Sequence, residues 1–187
     1  FHIGTTRVVQ QKDSVFKSIS YAFGASLGRN DAHVLIDGPG ADCTLNGLYM
    51  TSGDEHLDNH ISTTHAKPHG SSHQLFKGIL TGDSRAVFSG QVLVEQDAQK
   101  TFAEERDMNL LLSGGAELDT KPSLLIYADD VQCFHGAAAG DIDEESLFYA
   151  MSRGLERETA SDMLIRAFAG EIVEQAGIPA FEDYLYG

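Results

Sequence analysis

The chain has 187 residues, a formal net charge of −15 and only two cysteines, Cys43 and Cys133. Its length predicts one domain, with or without an appendage. The acidic balance argues against a nucleic-acid partner, because phosphate backbones repel a surface of this sign. Two cysteines are too few for a disulfide framework, so a reducing, cytoplasmic setting fits best. We expect Cys43 to be a small buried hydrophobe.

Short apolar segments broken by Gly, Asp, Asn and Pro predict a β-rich domain over residues 1–138. Residues 86–94 alternate with a period of two, as on a strand with two distinct faces. Such strands suit a sandwich, a barrel or a β-solenoid, although no fixed-period repeat is visible to favour the solenoid. The predicted strands are 33–36, 45–50, 74–80, 86–94, 109–112, 124–127 and 131–135.

The hydrophobic period changes to 3.6 residues near Gly140, which predicts a helix. Asp143 is placed as its N-cap, with Ile142 and Leu147 as a hydrophobic staple around the first turn. Gly154 is placed to end this helix, because glycine adopts the left-handed conformation readily.

A second helix is predicted from about residue 157 to 175, ended by Gly177 and Pro179. We assign residues 139–187 to a C-terminal helical domain on this pattern. The predicted apolar stripe of the second helix comprises Met163, Leu164, Ala167, Phe168, Ile172 and Val173.

A dense histidine cluster between residues 56 and 73 invites a metal-site interpretation, because neutral imidazole binds zinc, iron and copper. The spacing matches no zinc-binding helix or finger, and Pro68 and Gly70 interrupt any single helix. We therefore favour polar positions on strands and turns over a metal site. The histidines are His56, His60, His65, His69 and His73.

The segment DDVQCFHG at 129–136 places a thiol and an imidazole two residues apart. In a strand, Cys133 and His135 share one face, and together they suit iron or zinc. Two ligands cannot enclose an iron–sulfur cluster, so the pair is either half of a shared site or a polar strand end. Asp129 and Asp130 point to opposite faces when extended and do not form the facing pair of a glycosidase.

Four long motifs resemble the SufD family, scaffold subunits of the Suf iron–sulfur cluster assembly system. They are PSLLIYADDVQCFHGAAAGDIDEESLFYAMSRGL (122–155), HLDNHISTTHAKPHGSSHQLFKGIL (56–80), AQKTFAEERDMNLLLSGGAELDTKP (98–122) and SDMLIRAFAGEIVE (161–174). The sister SufB family usually has His-Glu where this chain has His135-Gly136, and Gln-Arg-Gly at 152–154. Both differences favour SufD.

The resemblance implies a right-handed parallel β-helix followed by a small C-terminal α-helical domain. It also implies a non-enzymatic scaffold that pairs with a SufB-like subunit, or with a second copy of itself, and docks a SufC-like ATPase. A transient iron–sulfur cluster would form at the interface with the partner, where His135 and Cys133 are the implied metal ligands. The implied partner-binding residues on the helices are Phe148, Tyr149, Ser152, Arg153, Gly154, Met163 and Phe168.

The chain departs from the family pattern at Leu125, at residues 107–110 and at Glu156, which alters a strand and a helix cap. It also lacks an initiator Met and the family's N-terminal helical region, so we expect it to be part of a longer chain. Two other functions remain compatible with the residues: a β-solenoid carbohydrate-active enzyme, although the chain has no Trp for a sugar groove, and a His-cluster metal-binding protein.

Overall fold

The computed structural model describes residues 1–177. Its strands form two five-stranded parallel sheets, sheet 1 with the order β1-β3-β5-β7-β9 and sheet 2 with the order β10-β8-β6-β4-β2. Because consecutive strands alternate between the sheets, the chain coils as a parallel β-helix, as the resemblance implied. The elements are β1 His2–Gln10, β2 Val15–Ala22, β3 Leu27–Ile36, β4 Asp42–Thr51, β5 His56–His65, β6 Ser71–Leu80, β7 Arg85–Val94, β8 Phe102–Leu111, β9 Glu117–Ile126, β10 Gln132–Gly140, α1 Glu144–Ser152 and α2 Arg157–Ala176.

Each turn of the β-helix adds about 30 residues, so the chain has a structural repeat. Leu27 pairs with His56, and His56 pairs in the same register with Arg85. This repeat was not visible in the sequence pattern. Two features hide the repeat in the sequence. The step from Arg85 to its partner Glu117 is longer than the two preceding steps along sheet 1. Stacked residues also need only be compatible in size and polarity, and they do not have to be of the same type.

One corner of the β-helix repeats a left-handed residue in four successive turns. Asp13, Gly40, His69 and Lys100 have φ angles of 56°, 72°, 60° and 62°. Their backbone N–H groups donate to a carbonyl of the following turn, in each case at 2.6–3.3 Å. These main-chain hydrogen bonds connect adjacent turns of the β-helix. His69 is one of the residues that form this corner.

The predicted strands all lie within or overlap observed ones, but β1, β2 and β5 were not predicted. The inward face of β5 carries Asn59, Thr63 and His65 between the apolar Leu57 and Ile61. A parallel β-helix can bury such polar groups when they are hydrogen-bonded, as Thr63 is to Gln74 at 3.0 Å. A strand with a partly polar interior lacks the apolar run that sequence patterns detect.

The first predicted helix is confirmed. A carboxylate oxygen of Asp143 accepts a hydrogen bond from the backbone N–H of Ser146 at 2.7 Å, and Gly154 follows the helix with a φ of +96°. Ile142 packs in one apolar cluster with Leu147, as the staple requires.

The second helix ends as predicted at Gly177, which has a φ of 60°; Pro179 lies outside the described residues. Its C-terminal half packs on the outer face of sheet 2, where Ile172 and Val173 meet Leu48 of β4. The predicted stripe was wrong at Met163, which is 45% exposed, and at Ala167, because the sheet reaches only the C-terminal half of the helix. No helix within residues 1–177 is long and apolar enough to cross a membrane.

Candidate functional site

The last strand, β10, carries Cys133 and His135 at the end of the β-helix. Among the described strands it pairs with β8 alone, and the register sets Cys133 beside Ala103 and His135 beside Glu105. Ala103 and Glu105 face the interior and are fully buried. Cys133 and His135 therefore share the inward face, as predicted, on a turn that no further described turn covers.

Cys133 is held as a thiol in this chain. It is partly buried and packs against an apolar cluster that includes Val92, Val94 and Ala103. Burial raises the pKa of Cys133, and a hydrogen bond with the Ala103 backbone lowers it by less. Ionisation of Cys133 thus needs an added charge, such as a bound metal ion.

His135 lies exposed at the rim, one rung above a buried carboxylate. Neither carboxylate oxygen of Glu105 has a hydrogen-bond partner, and burial, with a smaller contribution from Asp107, raises the pKa of Glu105 to about 7. Gly90 leaves the space for this group, since a Cβ there would lie 2.0 Å from Oε1 of Glu105. We did not predict Glu105 from the sequence, although its inward position in an alternating strand was the available signal.

The neighbouring carboxylate of Asp107 is buried too, but it is satisfied. It accepts hydrogen bonds from the hydroxyl of Tyr49 at 3.1 Å, the amide of Asn109 at 2.9 Å and the hydroxyl of Thr120 at 2.7 Å. These contacts show how the interior accommodates the carboxylate of Asp107. Glu105 is thus distinguished from Asp107 by the absence of such partners.

Cys43 does not join the candidate site. It is fully buried in the main apolar core, and burial raises its pKa to about 12, which confirms the prediction of a small buried hydrophobe. Cys43 pairs with Ser72, Ser72 with Ala103 and Ala103 with Cys133 along one ladder. Three strand spacings separate the two thiols by roughly 14 Å, so they cannot bind one metal ion.

The histidine cluster disperses over different surfaces of the β-helix. His60 lies on the outer face of sheet 1, 2.7 Å from a carboxylate oxygen of Asp58, whereas His73 lies on the outer face of sheet 2, 3.6 Å from Glu104. His56 shares the outer face of sheet 1 with His60. These locations agree with the prediction that the histidines occupy polar positions on strands and turns.

His65 points into the interior instead. Its Nε2 atom lies 2.8 Å from the hydroxyl of Ser72, and burial lowers the pKa of His65 to about 4. It is therefore neutral at physiological pH. Within residues 1–177 no group of three or more His, Cys, Asp or Glu side chains is arranged to hold a metal ion.

Asp129 and Asp130 form the bend between β9 and β10. The backbone N–H of Asp130 donates to the side-chain oxygen of Gln99 at 2.9 Å, and its carboxylate pairs with Lys100 across the corner. Both residues therefore occupy the turn that leads into β10. The carboxylate of Asp130 stabilises the corner through Lys100, and the two adjacent aspartates do not form a facing pair.

The two helices present an exposed face next to the β-helix. Tyr149 is 61% exposed and lines a groove of about 590 Å³ together with Arg153 and Met163. Phe148 is 72% exposed but is not part of the lining of this groove. The guanidinium of Arg153 donates to the hydroxyl of Tyr149 at 3.0 Å, and the hydroxyl of Ser152 donates to the carbonyl of Tyr149 at 2.7 Å. These residues of the predicted partner-binding set lie together around the turn at Gly154.

Phe168 is placed differently from the other predicted partner-binding residues. It is partly buried against sheet 2, and its ring lies 4.6 Å from the ammonium nitrogen of Lys77. The structure therefore shows Phe168 in the contact between α2 and the β-helix.

Residues 1–168 match the family model described as the SUF system FeS cluster assembly, SufBD core domain. The chain is 38% identical to an iron–sulfur cluster assembly SufBD family protein of Synechocystis over 99% of this chain and 41% of that protein. It is 38% identical to the iron–sulfur cluster assembly protein SufD of Escherichia coli over 92% of this chain and 41% of that protein. A SufBD family protein of Mycobacterium leprae is 35% identical over 98% of this chain and 49% of that protein. The chain thus spans less than half the length of each of these relatives.

Proposed function

This chain belongs to the SufBD family of the SUF FeS cluster assembly system, and from that premise we propose that it acts as a non-enzymatic scaffold. A transient iron–sulfur cluster would form at an interface that this chain shares with a SufB-like subunit. The cluster is cargo on this scaffold and not a resident cofactor. A reducing, cytoplasmic setting would keep Cys133 free for this task.

The observation that carries the proposal is a last turn that no further described strand covers, with Cys133 and His135 on its inward face. Two ligands cannot hold a cluster, so a partner must supply the rest. A partner strand that paired with the free edge of β10 would also place its own ligands one rung above these two. Such strand pairing would explain why this chain carries only two of the ligands, and it is the reason why we propose a SufB-like subunit as the partner.

The small residues that follow the pair favour a close approach by the partner. Residues 136–140 read Gly-Ala-Ala-Ala-Gly, and they bring no bulky side chain to the free edge. Phe134 is an exposed aromatic ring on the opposite face of the strand and could pack against a partner. A second copy of this chain would meet the same edge, so homodimers are an outcome to be measured.

We assign the exposed helix face around Tyr149, Arg153 and Met163 to docking of a SufC-like ATPase. Exposed aromatic and arginine side chains are enriched in interface hot spots, and this groove presents both. ATP hydrolysis would take place in that partner, and its motion would reach the β-helix through α1 and α2.

The test is reconstitution with SufB-like and SufC-like subunits, followed by iron and sulfide analysis of the purified complex. We expect His135→Ala to assemble the complex and to retain several-fold less iron and sulfide than the parent. Cys133→Ser should act in the same direction. His56→Ala is the matched control, because His56 lies on the outer face of sheet 1, away from β10. Parental iron and sulfide in His135→Ala would contradict the proposed role.

The docking assignment has its own test. Tyr149→Ala should abolish co-purification of the ATPase and leave the SufB-like subunit bound. Phe134→Ala should instead weaken binding of the SufB-like subunit and leave the ATPase bound. If both substitutions removed the same partner, the division of the surface into two interfaces would be wrong.

A further inference from the structure

Lys77 is a buried cation in the contact between α2 and sheet 2. It lies on the outer face of β6 and is 4% exposed. Its ammonium donates to the carbonyl of Phe168 at 2.8 Å, lies 2.6 Å from the carboxylate of Glu171 and 4.6 Å from the ring of Phe168. All of these contacts reach one helix, α2.

The contact around Lys77 is mainly apolar, although the hydroxyl of Tyr21 also donates to the carbonyl of Ile172 and the amide of Asn46 to the side-chain oxygen of Gln175. The contact is made by Leu48 and Ile79 from the sheet and by Ala169, Ile172 and Val173 from the helix. Burial removes hydration from the ammonium of Lys77, and its charge partner Glu171 is half exposed. An apolar side chain of similar volume at position 77 is therefore expected to be neutral or stabilising. Tight packing of α2 alone therefore does not account for a lysine here. A methionine would span much of the same length without that cost.

A cation does give the contact a property that apolar groups lack. When α2 lifts away, the buried ammonium of Lys77 regains its hydration, whereas the side chain of Glu171 is 52% exposed even while the helix is seated. Separation therefore costs less than it would for an apolar pair. While the helix is seated, the carbonyl and the carboxylate fix its position along the sheet. The contact therefore defines where α2 sits on the sheet, and it has a low free-energy cost of separation.

The position of Lys77 connects the helices to the candidate site. Along sheet 2 it pairs with Met108 of β8, and Met108 pairs with Ala138 of β10. A cavity of about 390 Å³ between α2 and these strands is lined by Met108, Ala138 and Phe168. Movement of α2 would therefore change the packing on the strand that carries His135.

We propose that Lys77 is a releasable latch, a positioning residue that seats α2 on the β-helix and lets it lift during cluster assembly. This inference rests on the proposed function, in which the helices receive the motion of an ATPase. The expected effect is on assembly and not on folding.

The test combines two substitutions with opposite expected effects on α2. Lys77→Met should slow amide hydrogen exchange in residues 169–176 and keep or raise the melting temperature. The same variant should lower iron and sulfide yield several-fold in the reconstituted complex. Glu171→Gln should speed exchange in the same residues, because it removes the charge partner of the ammonium. Lys67→Met, at an exposed lysine on a corner, is the matched control and should match the parent.

The latch is wrong if Lys77→Met assembles clusters at the parental yield, or if it unfolds or exchanges faster, since Lys77 would then serve stability alone. His135→Ala in the same assay separates the two ideas. Low yield in His135→Ala with parental yield in Lys77→Met refutes the latch alone. Parental yield in both refutes the proposed function.

Discussion

Glu105→Gln should make the stability of the chain less dependent on pH. The folded chain raises the pKa of Glu105 from 4.5 to about 7, because burial disfavours the carboxylate. As pH rises through this window, the unfolded chain releases the proton first, so the folded state loses stability. At about 1.4 kcal/mol per pKa unit, the loss is about 3 kcal/mol at pH 8. The neutral amide introduced by Glu105→Gln removes this pH-dependent loss of stability.

Urea unfolding of parent and variant at pH 5, 6 and 8 measures this difference. We expect the variant to be more stable by about 1 kcal/mol at pH 5 and by about 3 kcal/mol at pH 8. Comparison at each pH is needed, because His65 titrates in the opposite sense and offsets the trend in the parent. The control is Glu95→Gln at an exposed position. A difference that stays constant across pH would refute the desolvation of Glu105 and indicate a packing effect alone.

Three further substitutions test the packing and the caps. Gly90→Ala should destabilise the chain by about 1–3 kcal/mol in urea unfolding, since its Cβ would lie 2.0 Å from Glu105; an unchanged midpoint would show that the carboxylate moves freely. Asp143→Ala should cost about 1 kcal/mol by removing the hydrogen bond to Ser146, measured as faster amide exchange in α1, and unaltered exchange would contradict this cap. His65→Gln should remove a loss of stability of about 3 kcal/mol that the parent suffers as pH falls from 6.5 towards 4, because the folded chain lowers the pKa of His65 to about 4; parallel pH profiles would rule this out.

The helices could be predicted from local chemistry because each signal acts within a few residues. Asp143 and Gly154 mark the ends of α1 by hydrogen bonding and by a left-handed φ, and neither depends on distant parts of the chain. The error at Met163 has the opposite origin. The stripe that packs on sheet 2 depends on how far the sheet extends under α2, and helical periodicity does not contain that distance.

Only part of the candidate site, the placement of Cys133 and His135 on one face, could be predicted from the sequence. The spacing of Cys133 and His135 placed them on one face of a strand, and this follows from the period of two. The free edge and the buried Glu105 beneath His135 depend on pairing between residues about 30 positions apart. The β-helix itself was inferred from the family resemblance, because the polar interior of β5 conceals the strand and the unequal turns conceal the repeat.

A β-helix is held together turn by turn, so its stability is close to a sum of nearest-neighbour terms. An interior turn has a neighbour on both sides, whereas β10 pairs with β8 alone within residues 1–177. The strand with Cys133 and His135 therefore frays at a lower cost in free energy than an interior strand. A partner that adds the next rung would complete the ligand set and arrest this fraying in one event. Order at the site and occupancy of the interface would then rise and fall together, so an unpaired scaffold would hold its ligands too loosely to trap iron.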